Sequence, residues 1–338
     1  MATDSPFTAL PDDVLQRVLV GVALDDHDAT AAACRAFCDI IRGPQFPALR
    51  RRYGFEERGI IILRQGEAHT PHAVGVPLEI RIAGKGVVKS INEDLILNTF
   101  CSSTTVAGAR LFVSTMEPGP HLILAVDAST RRWSHFATLP LSQSLHCMEW
   151  HGGLLYVAGG VGGDNSESIN TFQAFNEATG SWEDLPPMPY ACALAISGVI
   201  GNELFVAGGI GNNFDLSTLQ IYDFTARTWR LGAPLPHTQW GECGVVVDDG
   251  KLYLVAIPGR TRRMMVYDVQ SNTWTEQQGP PYERTAGVVN AFAHNGCIVA
   301  LNGAGSAFQR GTGSDWSRFD LADVRAGENA VAGSVLLG

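Results

Sequence analysis

Histidines, cysteines and carboxylates are the side chains best suited to acid–base or metal chemistry, and their spacing in this sequence favours neither. The nine histidines (His27, His69, His72, His121, His135, His146, His151, His237 and His294) form no H-E-x-x-H pair. His69 and His72 share one Pro-containing stretch, but two ligands do not make a metal centre. The seven cysteines are scattered and include no C-x-x-C pair, which speaks against both a zinc site and a disulfide framework. G-x-S-x-G and P-loop signatures are missing. The expectation is therefore a protein without metal or cofactor that is not itself an enzyme. The chemistry that does stand out is that of binding. Arg260, Arg262 and Arg263 lie within GRTRR (259–263), the one dense basic patch in a chain of net charge −10. Guanidinium forks of this kind grip carboxylates or phosphates. Trp240 could supply an apolar anchor beside them, so an acidic or phosphorylated segment is the expected ligand of this stretch.

The elements that must carry these residues fall into two groups. Over residues 8–53, Val14, Leu15, Val18, Leu19 and Val22 recur at helical spacing, and Pro11, Asp12 and Asp13 suit a helix start. A second helix is expected through ATAAACRAFCDII, stopped by Gly43-Pro44, with a short third piece in FPALRRRYG. From about residue 59 the period changes to short apolar segments between Gly, Asp, Asn and Pro turns. The expected division is a helical unit at 1–54 and a β unit at 59–338. Apolar residues make up 45% and Gly supplies 37 positions, as suits a globular, turn-rich domain. The acidic charge disfavours nucleic acid as a partner. No apolar run approaches the ~20 residues that span a bilayer, and MATDSPFTALPDD is unlike a signal peptide. Cytoplasm or nucleus is the expected location, with no membrane contact.

One phrase recurs in the β unit: GGLLYVAGG (152–160), NELFVAGG (202–209), GKLYLVAIPG (250–259) and NGCIVALNG (295–303), with RLFVST (110–115) a weaker copy. Each leads to a second phrase that ends on a tryptophan: Trp133, Trp182, Trp229, Trp274 and, in degenerate form, Trp316. The intervals shorten from about 49 to about 42 residues. This pattern resembles the kelch repeat, in which each unit gives the four strands of one β-propeller blade. The resemblance implies that the tryptophan opens the fourth strand and packs against the neighbouring blade. IIIL (60–63), PLEIRI (77–82) and GVVKSI (86–91) supply three further strands and NAVAGSVLLG (329–338) a fourth. Together they would close a ring of six blades; five or seven are the alternatives.

The N-terminal stretch resembles an F-box, on Leu10, Pro11, Asp12, Leu15, Val18, Leu19, Cys34, Arg35 and Phe37. GVALDD replaces the usual Leu-Pro turn, and Phe37 stands where tryptophan is commoner. An F-box before kelch repeats implies a substrate adaptor of an SCF-type ubiquitin ligase. Leu10, Pro11, Leu15, Val18, Leu19 and Phe37 would then meet the Skp-type subunit, which joins the adaptor to the cullin. The propeller would hold a protein target. The kelch resemblance places target contacts on the loops after the Gly-Gly motif and before each innermost strand. There the candidates are Tyr190, Asn212, Asn213, His237, Trp240, Arg260, Arg262, Arg263 and Arg284; Gln143, Gln309 and Arg310 share these loops. A kelch-type metalloenzyme and a scaffold without ligase activity are the alternative readings.

Overall fold

The computed structural model describes residues 35–41, 57–64, 78–82, 88–91, 101–115, 121–128, 132–162, 167–212, 214–238, 244–257, 260–281, 288–302, 306–311, 315–319 and 330–337, and the single positions 16, 19, 22, 30, 46 and 49. These residues form six four-stranded antiparallel sheets. Blade 1 comprises Cys101–Ala107, Arg110–Thr115, Leu122–Asp127 and Arg132–Thr138. Blade 2 comprises Cys147–His151, Leu154–Ala158, Phe172–Asn176 and Ser181–Asp184. In blade 3 the strands are Ile196–Ile200, Glu203–Ala207, Leu219–Asp223 and Thr228–Leu231. In blade 4 they are Gly244–Asp248, Lys251–Ile257, Arg260–Asp268 and Thr273–Gln278. Blade 5 holds Val288–His294, Cys297–Asn302, Ala307–Gly311 and Ser317–Arg318.

Blade 6 joins the two ends of the β unit. Ala330–Leu337 pairs along its whole length with Glu57–Arg64, which continues into Leu78–Ile82 and Val88–Ile91. The innermost strands touch in cyclic order, blade 1 to 2 and onward to 6, and blade 6 returns to blade 1. The fold is a closed six-bladed β-propeller. Closure matters because an open ring would expose a strand edge with unpaired backbone groups. Across the seam, His294 of blade 5, buried, meets the Ser334 hydroxyl of blade 6 at 3.0 Å.

The core lies between blades rather than within any one of them. Phe112 and Ile123 of blade 1 pack with Met148, Leu155 and Val157 of blade 2. Tyr156 and Phe172 of blade 2 pack with Leu204, Val206 and Tyr222 of blade 3, and the pattern continues into blade 4. In blades 2 and 3 the second strand is buried on both faces after its first residue, which is why LLYVA and the LFVA of ELFVA read as apolar runs. The Gly pairs that follow these strands sit where blades crowd. A Cβ on Gly159 would stand 2.4 Å from the Cys192 carbonyl, and one on Gly209 2.6 Å from that of Ala193. Both glycines also hold positive φ, 65° and 87°, so no other residue fits without strain.

Four repeat tryptophans fasten blades 2 to 5 each to the blade before it. The indole N–H of Trp182 donates to the Thr138 carbonyl, Trp229 to Pro186, Trp274 to Ala233 and Trp316 to Gln278, at 2.8–2.9 Å. Each acceptor lies at or just past the outer strand of the preceding blade. Within its own blade, Trp182 pairs across strands with Phe175, Trp229 with Tyr222 and Trp274 with Tyr267. Their ring centroids are 5.0–5.2 Å apart. The ring holds the indole in place and the indole reaches the neighbour.

At the N-terminus, Arg35–Ile41 is helical, as are Gln16, Leu19, Thr30, Phe46 and Leu49. Leu19 and Phe46 are buried, with Val22, Phe37, Ile40, Ile41 and Leu49 packed on them.

Two outcomes test this frame. Trp229→Phe keeps an aromatic ring but removes the N–H, and should cost about 1 kcal/mol in urea unfolding, a fall of roughly 2–4 °C in Tm. Deleting residues 329–338 removes the innermost strand of blade 6. Thermal melting should then show the entire propeller destabilised in one transition, since the loss opens the ring; an unchanged melting temperature would mean that this strand does not hold it shut.

Candidate functional site

Antiparallel strands send their connections to two opposite ends of the propeller. The turns between strands 1 and 2 and between 3 and 4 leave at one end, here the turn face. The connections between strands 2 and 3, and from each outer strand to the next blade, leave at the other, the loop face. The turn face is polar and closed on itself. The Asn176, Asp223 and Asp268 side chains each accept backbone N–H groups from their own tight turns. Arg110 forks onto Glu177 at 2.7 and 2.9 Å while lying 5.1–5.8 Å from the ring centres of Phe112, Phe136 and Trp150.

The loop face is different. Six large hydrophobic side chains are exposed among the described residues: Leu141, Tyr190, Leu194, Ile210, Phe214 and Leu231. All six lie in connections of the loop face or, for Leu231, at the end of the strand that enters it. Four of them gather on blade 3 and the loop leading to it. Ala193 bridges to Ile210, which places Leu194 beside Ile210, and Gly211 pairs with Phe214. Phe214 is 62% exposed and Tyr190 46%, values that water alone does not favour for rings.

This patch is held rigidly. The buried Gln220 amide accepts the Tyr190 N–H at 2.8 Å and donates to the Tyr190 carbonyl at 3.3 Å. The Ser168 hydroxyl donates to the Ile210 carbonyl, and the Ser168 N–H to Asn212 Oδ1, which ties the loops of blades 2 and 3 together. Leu194 donates its N–H to the Leu145 carbonyl at 2.9 Å. Both leucines hold positive φ, 53° and 57°, a costly state for a bulky residue, sustained by this bonded loop network.

Two further titratable groups belong to blade 2, Glu149 partly buried and His146 buried. Glu149, on the innermost strand of blade 2, accepts from Ser197 of blade 3 at 2.8 Å and from Thr105 of blade 1 at 3.3 Å. A side chain of the middle blade that touches both flanking inner strands must point toward the propeller axis. Burial pushes its carboxyl up to about 7, against the opposing pull of the two hydroxyls. His146, just ahead of that strand, is buried and brought down to about 4 by its burial and then by His121. Neither of its ring nitrogens has a hydrogen-bond partner, and the same holds for His121 Nδ1. At the next blade junction the position matching His146 is Ala195, so this polar pair is particular to blades 1 and 2. Burial also raises the Cys147 thiol, and it pushes Cys192 up to about 12, which leaves both inert as nucleophiles. Among the described residues no group of three or more His, Cys, Asp or Glu side chains stands together as metal ligands do.

These observations decide what the repeats are. Residues 144–189 and 192–236 match the Kelch motif. The chain carries kelch repeats. The propeller is also similar to the solved structure of YjhT, with a TM-score of 0.52 and 17% identity over 60% of this chain and 72% of that one, a likeness of fold. No curated protein matches the sequence. The exposed apolar loops are where this propeller offers a surface.

Of the residues that sequence reasoning placed on the target face, Tyr190 and Asn212 are exposed there, and His237 is partly buried. Asn213, Trp240 and Arg284 lie outside the described residues. The arginine stretch differs from the expectation. Arg260, Arg262 and Arg263 belong to the third strand of blade 4, Arg260–Asp268, and not to a loop. Arg263 is exposed but pairs with Glu276 of the adjacent strand at 2.7 Å, so that guanidinium is already matched. Gln309 and Arg310 are likewise strand residues, of Ala307–Gly311. Gln143 is 1% exposed, because Gln143–Ser144 pairs with Val161–Gly162 as a strand. At the N-terminus Leu19, expected to face a partner, is 2% exposed and forms the core of its own helical cluster, and Phe37 packs on that core. Leu10, Pro11, Leu15 and Val18 lie outside the described residues. Sequence reasoning missed Leu194, Ile210 and Glu149. A signal existed for each: aliphatic residues inside turn-rich loops, and a carboxylate at a register position that holds Thr105, Gly198 and Val246 in other blades.

The titrations have a definite sign. A carboxyl raised in the folded state stabilises fully below its unfolded value of 4.5, and this contribution is lost as pH rises to about 7. Glu149→Gln keeps a neutral partner for Ser197 and Thr105. Its Tm advantage over the parent should therefore grow by a few degrees between pH 5 and pH 8 and then level off. His146 acts oppositely: its contribution is lost as pH falls from 6.5 toward about 4, so His146→Ala should flatten that acid limb. Melting curves against pH check both; a Glu149→Gln offset that does not vary with pH would mean the carboxyl titrates as if exposed.

Proposed function

We propose that this protein is a substrate-recognition adaptor of an SCF-type ubiquitin ligase. Its helical N-terminus binds the Skp-type subunit, which links it to the cullin, and its kelch propeller holds the protein to be ubiquitinated. The observation that carries the target half is the concentration of exposed apolar side chains on the loop face of a rigid kelch propeller. Apolar anchors held in place at little further entropic cost are what a protein-binding surface needs. The ligase half rests on the F-box-like pattern from Leu10 to Phe37 and on the small helical core around Leu19 and Phe46. With Leu19 and Phe37 in that core, docking falls to Leu10, Pro11, Leu15 and Val18. The protein catalyses nothing in this reading, needs no metal or cofactor, and works in the cytoplasm or nucleus.

The test is co-purification of the full chain with a Skp-type subunit. Leu15→Asp places an unpaired charge in an apolar contact and should reduce recovery of the subunit to background. Leu19→Asp should instead unfold the helical cluster, visible as lost helical circular dichroism. A Leu15→Asp variant that recovers the subunit undiminished would remove the ligase assignment and leave a kelch scaffold.

A further inference from the structure

The charges around the apolar patch specify its ligand more closely. On the loop face of blades 2 and 3, the described residues of the connections 139–146, 159–171, 185–195 and 208–218 include the carboxylates Glu167 and Asp215 and no lysine or arginine. Glu167 and Asp215 are both exposed; Asp215 lies in the ribbon that carries Ile210 and Phe214, and Glu167 in the separate ribbon of blade 2. Asp215 pairs with Ile210 and adjoins Phe214. Glu167 adjoins Ser168, whose hydroxyl and N–H hold Ile210 and Asn212. By strand alternation Ile210 and Asp215 share one side of their ribbon and Phe214 takes the other, so exposed apolar side chains and carboxylates are interleaved on this face. Among the described side chains, the two exposed arginines of the neighbouring strands are engaged elsewhere: Arg230 meets Glu203 at 2.7 Å and Arg263 meets Glu276.

We propose that the loop face of blades 2 and 3 binds a segment of protein that carries an aromatic or branched aliphatic anchor next to lysine or arginine. The anchor packs on Phe214, the most exposed of these apolar side chains, and the basic side chains meet Glu167 and Asp215. Apolar burial supplies most of the affinity, and the carboxylate charges supply selection and rate of encounter. This inference rests on the reading of the loop face as the target-binding surface, and it reverses the sign of the ligand that the arginines of blade 4 alone suggest.

Panning the full chain against a phage-displayed library of random twelve-residue peptides tests it. Enriched peptides should pair a Phe, Trp, Leu or Ile with at least one adjacent Lys or Arg. Synthetic copies should lose binding to Phe214→Ser, a change at an exposed site that leaves melting unaltered. The double variant Glu167→Gln with Asp215→Asn should weaken the same peptides about tenfold at low salt, and the difference should shrink in 0.5 M salt. Peptides that bind in a Phe214-dependent way but are acidic or phosphate-mimicking would overturn the inference while keeping the face. Peptides that ignore Phe214→Ser, or no enrichment at all, would overturn both.

Discussion

The architecture depends on one repeated contact: an indole N–H that reaches out of its own blade to a backbone carbonyl of the preceding one. Trp182, Trp229, Trp274 and Trp316 make it in four successive blades. A blade whose sheet is apolar on both faces must bury each of them against another element. Stacking blades around an axis covers both faces, but apolar burial is non-directional and does not fix the angle between neighbours. The tryptophan adds direction. One atom must meet one carbonyl, and the ring behind it is clamped by Phe175, Tyr222 or Tyr267, so rotation between adjacent blades is set. Small rotational errors would accumulate around a ring, and the eight-residue pairing of Ala330–Leu337 with Glu57–Arg64 requires that they do not.

That same precision gives the loop face its character. The strand ends are fixed by the frame, so the connections between them can carry residues that would otherwise be unfavourable. Two leucines are held at positive φ, and aromatic and aliphatic side chains stand in solvent. The turn face uses the opposite strategy. Its Asn and Asp side chains satisfy their own turn amides, and its Arg110 is consumed by Glu177 and three rings. One end of the propeller is finished chemically and the other leaves apolar surface in water. Function is accordingly read on the second.

Most of the frame was legible in the residues because its rules are local and repeated. The Gly pairs, the aromatic before the turn and the tryptophan after it recur at intervals of about 42 to 49 residues, and each has a steric or hydrogen-bonding reason visible from the chain alone. The interaction surface was less legible. Tyr190 and Asn212 could be placed by repeat register, but whether a loop residue is exposed depends on neighbours from another blade. Gln143 illustrates this: its loop is drawn into a ribbon with Val161–Gly162 and it becomes buried. The arginines of blade 4 were misjudged because Pro258-Gly259 reads as the start of a long loop, whereas the strand resumes at Arg260. Leu19 shows the same limit on a helix, where periodicity identifies an apolar face but not whether a partner or the protein's own Phe46 covers it.

The central claim is that partners are captured on the loop face of blades 2 and 3. Site-specific photo-cross-linking in living cells tests it most directly. A benzophenone amino acid is placed at position 214 on the loop face and, in a second protein, at position 226 on an exposed turn of the opposite face of the same blade. Discrete cross-linked adducts at 214 and none at 226 are the predicted result. Adducts at 226 with none at 214, or equal labelling at both, would contradict the account.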